Sequence, residues 1–246
     1  MRTTWDFAGT RALVAGAGGI GAAVTRALAG AGAAVVVLDV DKDRLDDIAQ
    51  DGAHGIAADL TSAEACRTAV GEAVELLGGL DVFVHAVGVN DRRPVLETPD
   101  EVWERLVAVN LSSAFWLGRA AGAVLVPNGY GRVVYLSSVS GLLAHEEHAP
   151  YAATKGGVNQ LMRVMAREWA ASGVTVNAVA PGYTETDLTR GYLAKPGVRA
   201  SLESLVPAGR LGRPEDLTGP VLFLASAESA FVTGQVLYAD GGRTLV

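Results

Sequence analysis

Tyr151 and Lys155 stand four residues apart in Tyr-Ala-Ala-Thr-Lys, in a stretch that reads as helix, with Ser137-Ser138 one strand and loop upstream. Helical spacing of four puts the phenol and the ammonium on one face, close enough to interact. A free phenol titrates near ~10 and is a poor base at neutral pH, but a nearby fixed cation favours the phenolate and pulls that value down. Tyr151 is therefore expected to serve as a general acid/base.

A hydride carrier would complete that chemistry, and the N-terminal glycines predict one. Gly16-Ala17-Gly18-Gly19-Ile20-Gly21 is a G-x-G-x-x-G between a strand and a helix. Gly16 permits a tight turn, Gly18 lets backbone approach a pyrophosphate, and Gly21 lets the helix pack on the sheet. The phosphates would lie on free N–H groups at the helix N-terminus, beside Ile20. Asp39 follows the next strand, at the distance expected for a carboxylate that binds a ribose 2′-hydroxyl. The same carboxylate repels a 2′-phosphate, and the loop holds no Arg or Lys to receive one, so NAD is favoured over NADP. Lys42 and Arg44 lie nearby as possible phosphate partners. Asp59, with Leu60 beside it, is a candidate for adenine contact; a role in the helix start Asp59-Leu60-Thr61-Ser62 fits it equally.

These residues need elements to position them. Short β-branched runs at Ala12–Ala15, Ala34–Leu38, Gly55–Ala58, Val82–Val87, Arg132–Leu136, Val174–Val179 and Gln235–Tyr238 alternate with amphipathic stretches. The latter lie near Ile20–Ala31, Asp43–Gln50, Ser62–Leu77, Pro99–Leu125, Pro150–Ser172 and Pro214–Ala225. This rhythm predicts an α/β fold with a doubly wound parallel sheet of about seven strands and helices on both faces. No linker divides residues 1–246, so one domain is expected. Thr184 to Pro207 mixes Pro, Gly and charge and reads as a broken helical excursion, a substrate lid near 184–207.

Bulk composition narrows the partners. Half of the 246 residues are hydrophobic and 19% are charged, which suits a sheet covered on both faces and surface buried between subunits. The net charge is −7 and no basic run exists, which argues against nucleic acid and anionic membrane. Cys66 has no internal partner and is expected to be an inert packed thiol in a reducing, cytoplasmic compartment. Met1–Asp6 shows no apolar secretory region, and the most apolar stretches are too short and glycine-broken to span a bilayer.

Together the motifs resemble the short-chain dehydrogenase/reductase family, over nearly the whole chain from the glycine loop to Thr233-Gly234-Gln235 and Asp240-Gly241-Gly242. A serine thirteen residues before Tyr151 and a lysine four after it follow the family pattern. The resemblance implies a Rossmann fold and a catalytic tetrad of Asn110, Ser138, Tyr151 and Lys155. It implies that Tyr151 takes the hydroxyl proton, Ser138 holds the substrate oxygen, Lys155 also grips ribose hydroxyls, and Asn110 holds a water leading to solvent. Pro181, Gly182, Thr184 and Thr186 match the segment at the nicotinamide end, and Gly88 closes the motif after the fourth strand. It implies a homotetramer built through the two long helices and the C-terminal segment.

Three departures stand out. The family's glycine loop, Thr-Gly-x-x-x-Gly-x-Gly, is one residue tighter here, with Ala15 for the threonine. His85-Ala86-Val87-Gly88 replaces Asn-Asn-Ala-Gly, so a side-chain bond that braces the sheet is lost or rerouted through His85. Thr184 stands where a branched alkyl residue is common.

Substrate choice is expected at the strand ends. Ser138, Ser140 and Tyr151 face that edge, and His145-Glu146-Glu147-His148 precedes the tyrosine as a mouth loop without H-E-x-x-H geometry, so no metal is assigned. The loop is solvated by default, or His145 meets polar substrate atoms. Asn90-Asp91-Arg92-Arg93-Pro94 is similar to segments of family members acting on polyols and sugar acids. Arg92 or Arg93 could pair a carboxylate or hydroxyl; a surface role is favoured for both. The expected activity is NAD-dependent hydride transfer on a small secondary alcohol or its carbonyl partner, a polyol, sugar or sugar derivative. The alternatives are NADPH-dependent reduction of a 3-oxoacyl thioester on an acyl carrier, and a non-catalytic dinucleotide sensor.

Overall fold

β-Branched and apolar residues in runs such as Val35-Val36-Val37-Leu38 favour extended backbone and bury on both sides. In the computed structural model, which describes residues 4–246, seven such runs form the sheet. Met1–Thr3, part of the stretch read for a secretory signal, lie outside the described residues. The strands are β1 (Arg11–Ala15), β2 (Ala34–Asp39), β3 (His54–Ala57), β4 (Val82–His85), β5 (Gly131–Leu136), β6 (Val174–Pro181) and β7 (Val236–Ala239). Their order is β3-β2-β1-β4-β5-β6-β7, and every neighbouring pair is parallel.

Alternate side chains on each strand pack opposite helical layers. Leu13, Val36, Phe83, Val133 and Val176 pack with α3 (Ala63–Leu77), α5 (Ser113–Leu125) and α6 (Ala149–Trp169). Val14, Val37, Val84, Val134 and Val179 pack with α1 (Gly19–Gly30), α2 (Lys42–Ala49) and α9 (Thr218–Ala225). Chain order reverses between β1 and β4, which opens a crevice at the strands' C-terminal ends, the place where such sheets bind ligands. Among the described residues no helix is long and apolar enough to cross a membrane.

One stretch differs from the sequence expectation, and the excursion after β6 follows it. The predicted helix Pro99–Leu125 begins as α4 (Asp100–Leu106), widens into a π turn over Val107–Ser112, and resumes as α5. Periodicity cannot show a single wide turn, because the apolar stripe continues across it. The broken excursion holds two short helices, α7 (Asp187–Leu193) and α8 (Val198–Ser204). Thr186 caps α7 in a reciprocal pair with Thr189. Glu185 pairs with Arg199 of α8 at 2.6 Å.

Candidate active site

Ser138 leaves the end of β5, Tyr151 and Lys155 ride the first turns of α6, and Asn110 sits inside the π turn. Pro150 near the start of α6 suits a first-turn position, where its missing N–H costs nothing. Ser138 hydrogen-bonds Tyr151, Lys155 Nζ stands 5.7 Å from the centre of the tyrosine ring, and Lys155 and Asn110 meet beside Gly88. A Cβ built there would lie 3.5 Å from Lys155 Nζ and 3.7 Å from Asn110 Oδ1.

Asn110 is buried and fully engaged. Its Oδ1 accepts the Val89 N–H at 2.8 Å, and its amide donates to Val89 O at 2.9 Å and to Thr154 Oγ1 at 3.2 Å. The side chain therefore positions the segment after β4. His85, completely enclosed, does reroute the lost bond. Its Nε2 meets Ser113 Oγ at 2.9 Å, and that hydroxyl donates to Val109 O at 2.5 Å across the π turn. Burial and the nearby Lys155 charge push the His85 pKa down to about 3, so the imidazole is neutral.

The expected effect of Lys155 on Tyr151 meets an opposing effect of burial. Lys155 Nζ donates to Leu136 O at 2.8 Å and stands 5.7 Å from the centre of the tyrosine ring. Burial pushes the Tyr151 phenol above its ordinary value; Ser138 and then the Arg92 charge pull only partly the other way. Burial likewise lowers Lys155 to about 8. Desolvation, which penalises both charged forms, outweighs the pairing that helical spacing suggests.

At the β1 end the loop is built for a close ligand. Gly16 adopts φ 103°, and Gly21 has no room for a side chain: its Cβ would meet Gly16 O at 2.0 Å. No side chain caps α1; the Gly21 N–H donates to Gly18 O at 2.9 Å, and the Gly19 and Ile20 N–H groups are left for phosphate oxygens. Asp39 reaches back to the loop, accepting the Ala17 N–H at 2.7 Å and the Asp41 N–H at 3.0 Å. The cradle fits a dinucleotide: Gly16, Gly18, Ile20 and Gly21 would hold the pyrophosphate, and Asp39 the ribose. Gly19, absent from the sequence-based set, matters as well. It takes φ 45°, and a Cβ there would stand 3.2 Å from Thr186 at the base of the excursion. Arg44, a possible phosphate partner from sequence, brings its guanidinium about 3.0 Å from where a Gly18 Cβ would be.

The remaining cofactor candidates divide. Pro181 ends β6, Gly182 packs so tightly that a Cβ would meet Asp240 Cα at 2.8 Å, and Thr184 bridges to Gly212. Asp59 accepts the Thr61 N–H at 2.9 Å and its hydroxyl at 2.7 Å, bonds that hold its carboxyl below the usual range. It borders a hollow of about 420 Å³ with Ser62 and Thr68, and its hydrogen bonds are those of the turn role. Leu60 is buried, and its carbonyl accepts the Cys66 thiol at 3.4 Å. Burial raises that thiol to about 11, in keeping with an inert cysteine.

The mouth is more structured than a solvated loop. His145 Nδ1 meets Ser140 Oγ at 3.0 Å. His148, buried and unassigned from sequence, packs 5.9 Å from the Tyr151 ring. Arg93 pairs with Asp91, but Arg92 does not follow the surface reading. It is half-buried, with its guanidinium 3.9 Å above the Tyr192 ring of α7.

A family model described as enoyl-(acyl carrier protein) reductase matches residues 14–244. The galactitol 2-dehydrogenase (L-tagatose-forming) of Cereibacter sphaeroides is 39% identical over 251 residues, 99% of this chain and 98% of that one. A 3-oxoacyl-acyl-carrier-protein reductase of Vibrio cholerae is 35% identical, covering 98% of this chain and 100% of the relative. Among solved structures, a gluconate 5-dehydrogenase from Burkholderia cenocepacia in complex with NADP and tartrate superposes with a TM-score of 0.93. It is 35% identical and covers 99% of this chain and 98% of that one.

Proposed function

Because the chain belongs to the short-chain dehydrogenase/reductase family, an oxidoreductase family acting on alcohol and ketone groups with a nicotinamide cofactor, we propose that it interconverts a small polyol, sugar or sugar derivative and its ketone. The carrying observation is the convergence of Ser138, Tyr151, Lys155 and Asn110 at the strand ends, beside a glycine cradle that fits a dinucleotide. The polyol and sugar-acid relatives support that substrate class.

When bound, the cofactor accepts or returns hydride; the protein supplies proton handling and position. Tyr151 takes the hydroxyl proton as the phenolate in oxidation and returns it as the phenol in reduction; the positive charges of Lys155 and of bound NAD⁺ would favour the phenolate against the effect of burial. Ser138 holds the substrate oxygen through the change of charge. Lys155 holds ribose hydroxyls from a site where it is already half-neutralised near pH 8. Asn110 fixes the turn at Val89 that walls the site.

NAD is the favoured cofactor, because the Asp39 carboxylate beside the glycine loop would repel a 2′-phosphate. Arg44 beside Gly18 gives NADP a weaker foothold. Residues 1–246 act as one domain, with 184–207 as its lid. The homotetramer is built on α4, α5 and α6, whose Trp103, Phe115 and Val164 are exposed. A cytoplasmic place fits the free Cys66 thiol.

Reduction of a 3-oxoacyl thioester, the activity named for the Vibrio relative, is the second reading. A panel decides between them. Galactitol, gluconate and simple alcohols are offered with NAD⁺ and with NADP⁺, and a 3-oxoacyl thioester with NADH and NADPH. Faster NAD⁺ reduction by a polyol or sugar acid is expected, and Asp39→Ala should move the preference toward NADP⁺ by about tenfold or more. Thioester reduction with NADPH as the fastest reaction would transfer the assignment to the second reading.

A further inference from the structure

We infer that Asn90 and His145 read hydroxyls of the substrate other than the one being oxidised, so that this site selects polyhydroxylated substrates over simple secondary alcohols. The inference rests on the reaction proposed above and deepens it by naming the residues that choose the substrate.

The starting point is a strained residue. Glu147 holds φ 61°, the one non-glycine residue with positive φ among those described. Such a conformation costs of order 1–3 kcal/mol and persists where surrounding contacts enforce it. Here it joins the loop after β5 to the loop after β4: Glu147 O accepts the Arg93 N–H at 3.1 Å, and Glu146 O lies 3.1 Å from His148 Nδ1.

That second contact sets the protons. A carbonyl only accepts, so the shorter contact, 3.1 Å to Glu146 O, puts the hydrogen of His148 on Nδ1 and leaves Nε2 a lone pair; Arg92 Nη1, 3.5 Å from Nδ1, is then a neighbour and not a donor to it. Asn90 Nδ2 approaches that lone pair at 3.3 Å and donates to it. The amide orientation is thereby fixed, and Asn90 Oδ1 is left buried with no partner. His148 packs against Tyr151, so this orphaned acceptor stands one ring away from the proton-transfer group.

His145 supplies the companion. Its Nδ1 is engaged by Ser140, while its Nε2 is buried and unpartnered. The ring is wedged 5.8 Å from His148 and 5.7 Å from Tyr183, so it cannot turn outward without breaking both contacts. Burial, then the Arg243 and Arg92 charges, hold His145 below its ordinary pKa, and burial takes His148 to about 4. Both rings are neutral hydrogen-bonding groups at physiological pH, not cations that would recognise an anion.

A buried polar atom without a partner costs about 1–3 kcal/mol, and native proteins keep few of them. Two around one mouth call for a ligand that both donates and accepts. A hydroxyl does both: it donates to Asn90 Oδ1, and it suits His145 Nε2 in either tautomer. A monohydric alcohol would leave both atoms unpaired, the arrangement by which enzymes reject analogues lacking a hydroxyl.

The test compares galactitol or gluconate, whichever is oxidised faster, with hexan-2-ol. In the wild-type protein kcat/KM should favour the polyhydroxylated substrate by about a hundredfold or more. Asn90→Leu and His145→Phe should each cut that ratio by about tenfold. A wild-type ratio near one, or a ratio unmoved in both variants, overturns the inference. A second readout does not depend on turnover: calorimetric binding of the same polyhydroxylated ligand to NAD⁺-loaded Tyr151→Phe. Adding Asn90→Ser, a smaller change, should weaken it by about tenfold; unchanged affinity also overturns the inference. Absence of turnover on every alcohol would sink the proposed reaction, while this titration would still judge Asn90 and His145.

Discussion

Burial governs the ionisable residues of this site more than pairing does. Helical spacing shows correctly that Tyr151 and Lys155 share a face, but it cannot show that Lys155 spends a proton on Leu136 O or that the phenol is desolvated. Both facts depend on how β5 and α6 close together, information carried by residues far away in the chain. His85 gives a measurable consequence. Its pKa falls from 6.5 to about 3, so the folded protein holds it neutral while the unfolded chain protonates it as pH falls below 6.5. The unfolded state then binds more protons, and stability declines as pH drops from about 6.5 toward 3, by up to ~1.4 kcal/mol per pH unit for this one group. Urea melts at stepped pH should show a shallower acid decline for His85→Asn than for the wild-type protein. An identical slope would mean that His85 is not the buried neutral group described. Asn110 and Arg92 teach a related lesson. Sequence placed both near the site, yet only packing reveals that one is saturated by Val89 and the other lies over Tyr192.

At the scale of elements, the glycine loop and the π turn decide where chemistry can occur. All seven strands were legible because β-branched runs separated by amphipathic stretches admit few other arrangements. The tight glycine loop was legible in type, since Gly16 and Gly21 each sit where a side chain has no room. Gly19 was missed because its need for glycine comes from Thr186, which lies across the site rather than next to it in the chain. The π turn was missed because one wide turn leaves the helical stripe intact, although the unusual His85 gave a hint that something nearby needed bracing. The loop makes a sharp prediction. Gly21→Ala drives a methyl group into Gly16 O, so the loop must open. NAD⁺ affinity measured by calorimetry should fall by about tenfold or more, whereas Gly71→Ala, with nothing near its Cβ on the exposed face of α3, serves as the control. Wild-type affinity in Gly21→Ala would show that the loop does not form the cradle assigned to it.

For the whole molecule, one sheet brings the glycine cradle after β1 and the proposed proton-transfer residues after β5 to the same C-terminal edge, on either side of the crevice between β1 and β4. The helices α4, α5 and α6 that cover one face also expose Trp103, Phe115 and Val164, an apolar surface that a partner subunit would bury. Val164→Glu should convert a tetramer into smaller species in light scattering and lower activity with it, because α6 also carries Tyr151 and Lys155; an unchanged mass would place the interface elsewhere. The account as a whole stands on proton transfer through Tyr151. Its most direct test is NADH formation by Tyr151→Phe on the substrate that the wild-type protein oxidises fastest, together with the NAD⁺ affinity of the same variant. Turnover should fall by about a thousandfold while NAD⁺ binds as before; turnover within tenfold of wild type, with cofactor bound normally, would contradict it.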